Sequence, residues 1–301
     1  MRRPAALFLL AVVALTGACS PERPAPPSVK PAAAAEKPRD GGRIVRRLES
    51  DVDTLNYLLQ TTDYERNVLA LIHDPLIDLD ASLQPIPGVA AKWEVSPDGL
   101  TYTLHLDPRA TFSDGTAVTA RDVLFTLRKV VEAPSQQFAG FFEGLDLARS
   151  AAVDDRTVRV AFNQPLVPRW YAFNIAVLPE HVYGKGDFTK DHNETSVGTG
   201  PYTLVKREPG QRIQLERRAG YWREQPHIQT VVFRVIGDHT VAWNAMKLGE
   251  IDEMRVKSDV WAREHDRADV KSRMRFEDFY WLNYNCIAWN NSDPILGDVR
   301  V

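Results

Sequence analysis

Trp93–Val131, WEVSPDGLTYTLHLDPRATFSDGTAVTARDVLFTLRKVV, decides more of the fold than any other stretch of this 301-residue chain. Pro97-Asp98-Gly99 combines a preset φ, a side-chain acceptor and a residue that tolerates positive φ, which is what a tight turn needs. Beyond it Tyr102, Leu104 and Leu106 alternate with Thr101, Thr103 and His105, so the spacing predicts a half-buried strand. Ser113-Asp114-Gly115-Thr116 makes a second turn. Thr119 is placed to cap a helix, with Asp122 three positions on as in a capping box. Val123, Leu124, Leu127, Val130 and Val131 then line one face of that helix.

Outward from this stretch the pattern continues. Asp154-Asp155-Arg156 turns into Thr157–Phe162, where Val158, Val160 and Phe162 alternate with polar or small residues. That segment is the natural antiparallel neighbour of Thr101–Leu106. Between them Phe138, Phe141 and Phe142 either wall a pocket or pack in the core, and packing is the commoner fate. Towards the N-terminus, Gly41–Leu48 reads as a first strand, Arg66–Ile77 as a helix, and Leu76–Leu79 as a short strand. Towards the C-terminus, Val197-Gly198-Thr199-Gly200-Pro201-Tyr202 is a turn leading into strand Tyr202–Val205. A phosphate loop is a poor reading of it, because no Lys-Ser/Thr follows and Pro201 lacks a backbone donor. Strand Thr230–Ile236 precedes a helix Val241–Leu248, capped by Asp238 or Thr240 and stopped by Gly249. Phe279–Asn285 (FYWLNYN) is apolar on both faces and so is predicted to be covered on both.

Composition bounds the function. The chain is 44% hydrophobic and 26% charged with a net charge of −3, the profile of a globular body with a sizeable core. No basic stripe with interleaved aromatics exists, so nucleic acid is not an expected partner. Two cysteines exclude a disulfide framework. Cys286 reads as a small buried hydrophobe. Arg2 and Arg3 precede an apolar run, Ala5–Leu15, that is too short to span a bilayer, which takes about 20 residues. Small residues then lead to Cys19, so residues 1–18 read as a signal peptide, either of the lipoprotein kind that acylates Cys19 or of the plain secretory kind. Residues 19–40 carry six prolines and four consecutive alanines and read as a semi-extended tether.

Chemistry is hard to find. The seven histidines are scattered, without HExxH or short His/Cys pairing, so no metal site is expected. No G-x-S-x-G elbow occurs. The acid pairs Asp51/Asp53 and Asp154-Asp155 sit at turns, where capping is the ordinary role. His181 and His192 flank a Tyr/Gly/Lys loop and read as solvent-exposed. Neither an enzyme nor a cofactor site is expected; a secreted hydrolase would lack a nucleophile–base pair.

The order of these strings resembles the family 5 extracellular solute-binding proteins, the peptide- and nickel-binding receptors of ABC importers. Trp93–Val131 is similar to that family's "W-x-x-S-x-D-G-x-T-Y-T-F-x-L-R … F-x-D-G-x-x-x-T-A-x-D-V", with Leu104 in place of Phe. V-G-T-G-P-Y, the Gly210–Leu215 "G-x-x-I-x-L", Tyr221-Trp222 and Gly249-Glu250-Ile251-Asp252 are similar as well, whereas Asn56-Tyr57 replaces the family's Asp-Pro. The resemblance runs from about Gly41 onward. It implies an α/β fold, periplasmic-binding-protein type II-like: two lobes with an extra inserted subdomain. By analogy residues 41–55 and 185–275 form the first α/β lobe and 56–184 the inserted α+β subdomain. Residues 276–301 hold a crossing strand and the start of a second lobe. Asp298-Val299-Arg300-Val301 matches the opening of a family helix, so the chain is read as the N-terminal portion of a longer protein, with the second lobe largely absent.

The same resemblance implies four ligand contacts: Asp51 and Val52 at the first strand exit, and Tyr280 and Trp281 on the crossing strand. It further implies a monomer that binds a peptide or peptide-like solute, docks on the permease subunits of an ABC transporter, and is held to the membrane through Cys19. A nickel chelate, haem or oligosaccharide as solute, or a lipoprotein sensor or chaperone on the same fold, remain open alternatives.

Overall fold

The computed structural model describes residues 38–132, 138–165, 169–194, 197–278 and 292. The chain divides into two units, Met1–Arg39 and Asp40–Val301. Only residues 38 and 39 of the first are described, and the account below concerns the second. In chain order its elements are β1 (Gly41–Leu48), α1 (Asp63–Ile72), β2 (Ile77–Leu79), β3 (Pro85–Pro87), β4 (Ala90–Val95) and β5 (Thr101–Leu106). Then come α2 (Ala120–Glu132), β6 (Leu145–Ala152), β7 (Thr157–Phe162), α3 (Trp170–Phe173) and α4 (Glu180–Tyr183). The described chain closes with β8 (Tyr202–Glu208), β9 (Arg212–Arg217), β10 (Ile228–Val235), α5 (His239–Leu248), α6 (Ser258–Glu264) and α7 (Ala268–Lys271).

Two four-stranded sheets organise these elements. One has the order β4-β5-β7-β6, antiparallel throughout. The alternation in β5 is the expected one, with Tyr102, Leu104 and Leu106 buried and their neighbours half-buried. Its pairing with β7 is also as read, Leu104 opposite Val158 and Tyr102 opposite Val160. The other sheet has the order β1-β10-β9-β8, with β1 parallel to β10 and the remaining pairs antiparallel.

This second sheet is covered on both faces. Val231 and Phe233 of β10 pack with Val68, Leu69 and Ile72 of α1, while the intervening Val232 packs with Ala242 and Ala245 of α5. The period-2 alternation of β10 thus sorts one strand's side chains between two helices. Each fully buried aliphatic chain contributes ~1.5–3 kcal/mol, so the three α1 residues alone are worth several kcal/mol.

Helix boundaries moved where capping chemistry decides. α1 begins at Asp63, three residues before the expected Arg66, because Thr62 and Glu65 form a capping box. The Glu65 carboxylate, 1% exposed, also accepts from the N–H groups of Asp53, Thr54 and Thr61 at 3.1, 3.2 and 2.7 Å. The helix ends at Ile72, short of the expected Ile77, since a residue before proline, here Asp74, avoids the α region. At the start of α2 Asp122 accepts from Thr119 N and Oγ1 at 2.8 and 2.7 Å and from Glu180 N at 2.9 Å. The Thr119 hydroxyl therefore donates to Asp122, and half of a capping box is made.

The expected apolar face of α2 needs correction at Val131, which is 54% exposed. Phe125 and Thr126 are buried, because the chain after α3 covers a second flank of the helix: Leu178 N donates to Thr126 Oγ1 at 2.8 Å. Of the three phenylalanines, Phe142 is buried, Phe138 stacks on Tyr57 at 5.5 Å, and Phe141 is exposed. β8 runs on to Glu208, past the expected Val205. α5 is capped by Asp238, whose side chain accepts from Val241 N, and stops at Gly249 with φ 73°, a backbone only glycine adopts without strain.

The glycine turn Val197–Tyr202 joins the two cores. A Cβ on Gly198 would lie 2.2 Å from the Ile72 carbonyl oxygen, so only glycine lets the turn rest on the end of α1. Gly200 N donates to that same oxygen at 2.8 Å, and Thr199 Oγ1 accepts from Asp74 N at 2.9 Å. The Asp74 carboxylate accepts from Tyr221 OH and Trp222 Nε1 at 2.8 and 3.1 Å. Arg218, buried beside them, donates to the carbonyl and hydroxyl oxygens of Thr111 at 2.9 and 2.6 Å.

Candidate functional site

Because β1 and β10 are parallel neighbours, their carboxyl ends leave the sheet side by side, with Leu48 opposite Val235. In open α/β sheets, ligands gather outside such ends. One buried arginine sets the geometry here. Arg47, its side chain 2% exposed, donates from Nε to Ile236 O and from Nη2 to Gly237 O, each at 2.9 Å, and pairs with Glu49 at 3.3 Å. Ile236 N donates to Leu48 O at 2.9 Å. The exits Glu49–Asp53 and Ile236–Asp238 therefore form one stitched rim.

Asp51 and Val52 lie on that rim. Both Asp51 oxygens already have partners: Oδ1 accepts from Val52 N at 2.8 Å, and Oδ2 from Gly210 N at 2.6 Å, tying the exit to the β8–β9 turn. The Val52 side chain is 1% exposed and packs with Leu55, Val68 and Leu69. Its carbonyl accepts from Arg207 Nη2, whose other amino group pairs with Glu194 at 2.8 Å. Val52 is thus buried and bonded within the protein, and what this pair presents to the outside belongs to the half-buried Asp51. Tyr280, Trp281, Cys19 and Cys286 lie outside the described residues.

Beside the β10 exit a cavity of about 430 Å³ opens between Gly237 and Asp238, the first turn and Trp243 of α5, and Lys257, Asp259, Val260 and Arg263. In the sequence Asp238 is marked only as a cap, and nothing local marks the cavity. Lys257 and Arg263 approach Asp238 through the turn after Gly249, and no local spacing announces that.

The histidines do other work. His192 is not solvent-exposed as expected; at 8% exposure its Nε2 donates to Lys185 O at 2.8 Å and its ring packs on Tyr183. His181 pairs with Asp114 at 2.6 Å and is part-exposed. His73 is pushed down to about 3 by burial, so it is neutral. Asp74 next to it is pushed up to about 6, burial outweighing the hydrogen bonds from Tyr221 and Trp222 and the charge of Arg223. Among the described residues no three His, Cys, Asp or Glu side chains gather as a metal site, and no helix is long and apolar enough to cross a membrane.

A helix-flanked sheet with paired parallel exits, beside a separate antiparallel sheet with its own core, is a mixed α/β architecture. The family described as bacterial extracellular solute-binding proteins, family 5 Middle, matches residues 84–301. The chain belongs to that family. Protein XP55 of Streptomyces lividans is 33% identical over 221 residues, covering 71% of this chain and 40% of the relative. The oligopeptide-binding protein AppA of Bacillus subtilis is 24% identical over 310 residues, covering 100% of this chain and 56% of the relative. The solved structure of the Bacillus subtilis AppA, in complex with a nonapeptide, overlays with a TM-score of 0.69 at 23% identity, over 76% of this chain and 47% of that one. The chain spans about half the length of the curated relatives it matches. It has the mixed α/β fold of these binding proteins and covers part of it.

Proposed function

We propose that this chain belongs to the working body of an extracytoplasmic receptor that captures a peptide or peptide-like solute between two lobes and delivers it to an ABC importer. The observation that carries the reading is the family match over residues 84–301. A relative named an oligopeptide-binding protein, aligned along the whole chain, favours peptide over other solutes. In this reading residues 41–55 and 185–275 form the first lobe, 56–184 the inserted subdomain and 276–301 the crossing segment, although α1 of the middle stretch packs in the core of the first.

Capture follows from the rim. In this reading an extended peptide lies along the exits at Asp51–Asp53 and Ile236–Asp238 and bonds those main-chain groups of the rim that are not already engaged, the N–H and C=O of Val52 and Ile236 being taken within the protein. Tyr280 and Trp281 wall the solute from the crossing strand. A solute that touches both lobes stabilises their closed arrangement, and only contacts made to both can do so. In this reading residues 1–18 are the export signal and an acylated Cys19 holds the body outside the cytoplasm, where two acyl chains are enough for stable attachment.

The test is the melting temperature of the whole polypeptide, including any sequence beyond Val301, against peptide mixtures of two to nine residues. Saturation at about 100 times the dissociation constant raises stability by ~2.7 kcal/mol and shifts the melt upward. No shift with any mixture at millimolar concentration contradicts the reading.

A further inference from the structure

The cavity at the β10 exit is set apart by the donors it leaves unmet. α5 starts at its wall, and the N–H groups of the first turn have no carbonyl within the helix to bond. Asp238 takes one of them, Val241 N, at 2.8 Å; those of His239 and Thr240 precede it. Trp243 lines the same cavity at 6% exposure, and its buried Nε1 has no acceptor. Lys257 is exposed at the edge, and among the described residues no carboxylate pairs with its ammonium. Its backbone N–H lies 3.2 Å from His239 Nε2, which also lies 3.3 Å from the Arg255 carbonyl oxygen, so the Lys257 main chain is held beside the first turn of α5.

The remaining charges are engaged. Asp238 is committed to the cap, and Asp259 pairs with Arg263 at 3.2 Å. The unmet groups are all donors, one of them a cation, at the positive end of a ten-residue helix. Their complement is an anion with at least two acceptor oxygens.

We infer that the first turn of α5 together with Lys257 forms a subsite for a carboxylate of the captured solute. The inference rests on the solute-capture reading and adds to it the solute's charge and the place where that charge is held. Two sources share this chemistry, the terminal carboxylate of a peptide and an acidic side chain within it. Discrimination by this lobe then falls on that one charged group.

The test is calorimetric titration of the whole polypeptide at pH 7 with three probes: tetra-alanine as the free acid, its C-terminal amide, and an amidated tetrapeptide carrying one glutamate. Each is titrated into the unaltered protein and into Lys257→Gln, an exposed substitution that leaves the melt unchanged. Losing a charge-assisted bond lowers affinity roughly tenfold or more, so a carboxylate-bearing probe binds the unaltered protein at least about tenfold tighter than the plain amide. Preference for the free acid identifies the terminal carboxylate, and recovery by the glutamate probe identifies a side chain. In Lys257→Gln the preference collapses towards one while the amide binds as before. Equal binding of all three probes by the unaltered protein overturns the subsite and leaves solute capture standing, as does a preference that survives Lys257→Gln. Failure of every probe to bind either protein overturns both.

Discussion

Tyr221 donates its hydroxyl to the buried carboxylate of Asp74 at 2.8 Å and Trp222 donates to the same group, while Thr199 Oγ1 accepts from the Asp74 main-chain N–H. Tyr221 and Trp222 pack against one core, and the turn through Thr199 rests on Ile72 of the other. Asp74, through its carboxylate on one side and its main chain on the other, is therefore a joint between the two sheets. The paired aromatics that mark the family in sequence hold this joint together and lie away from the strand-exit rim.

The joint is sensitive to pH. Burial raises Asp74 from 3.8 to about 6, so the folded state binds the proton more tightly than the unfolded chain. Stability from this group is fully present below about 3.8 and is lost as pH rises through about 6, a difference of ~3 kcal/mol. Tyr221→Phe removes a donor to the ionised form. It costs ~1.5–3 kcal/mol at pH 7.5, where the acceptor is charged, and about 1 kcal/mol at pH 4. Urea unfolding at the two pH values measures both costs; equal costs contradict the assignment.

His73 acts with the opposite sign. Burial lowers it from 6.5 to about 3, so its contribution is present above 6.5 and is lost as pH falls towards 3. Between pH 6.5 and 4 the two neighbours nearly offset one another. His73→Gln removes one side of that balance, and the variant gains stability as pH falls from 6.5 to 4. Thermal melts across that interval show the slope; a variant that still loses stability in acid refutes it.

Gly198→Ala places a Cβ 2.2 Å from the Ile72 carbonyl oxygen, against backbone that has no room to give. The expected cost is ~3 kcal/mol, at the upper end of overpacking. Gly140→Ala meets nothing within 4 Å and stays within about 0.5 kcal/mol of the parent protein. Denaturant midpoints of the pair separate a steric requirement from a general intolerance of alanine.

Arg47→Met keeps the buried stem and removes the guanidinium that joins the two exits. The Ile236 and Gly237 carbonyls lose their donors, at a cost of ~2 kcal/mol in urea unfolding. Amide exchange at Ile236 and Gly237 rises more than at Val231 within β10. Uniform exchange along the strand contradicts the stitching role.

Much of this was legible in the sequence because it is local. Period-2 alternation located β5 and β7 and their pairing, and Gly249 marked the end of α5, while its start was left between caps Asp238 and Thr240 and falls at His239, two residues before the expected Val241. What escaped depends on tertiary partners. Val131 sits at a helical spacing that points to the core, yet the chain around Leu178 covers the other flank of α2. His192 looked exposed in a polar loop and is buried on Tyr183. Gly198 and Gly200 looked like turn residues, and their real constraint is the end of a helix more than a hundred residues earlier. The cavity beside Asp238 and Lys257 joins a helix start to a later turn and carries no periodic signal at all.

Reversible capture of an intact solute is tested most directly by titrating the whole polypeptide with a short peptide in a calorimeter and recovering the peptide afterwards by mass spectrometry. One-to-one binding with a dissociation constant at or below about 10 μM, and a peptide recovered with its mass unchanged, is the expected result. A cleaved or modified peptide, or no heat of binding up to millimolar concentration, contradicts it.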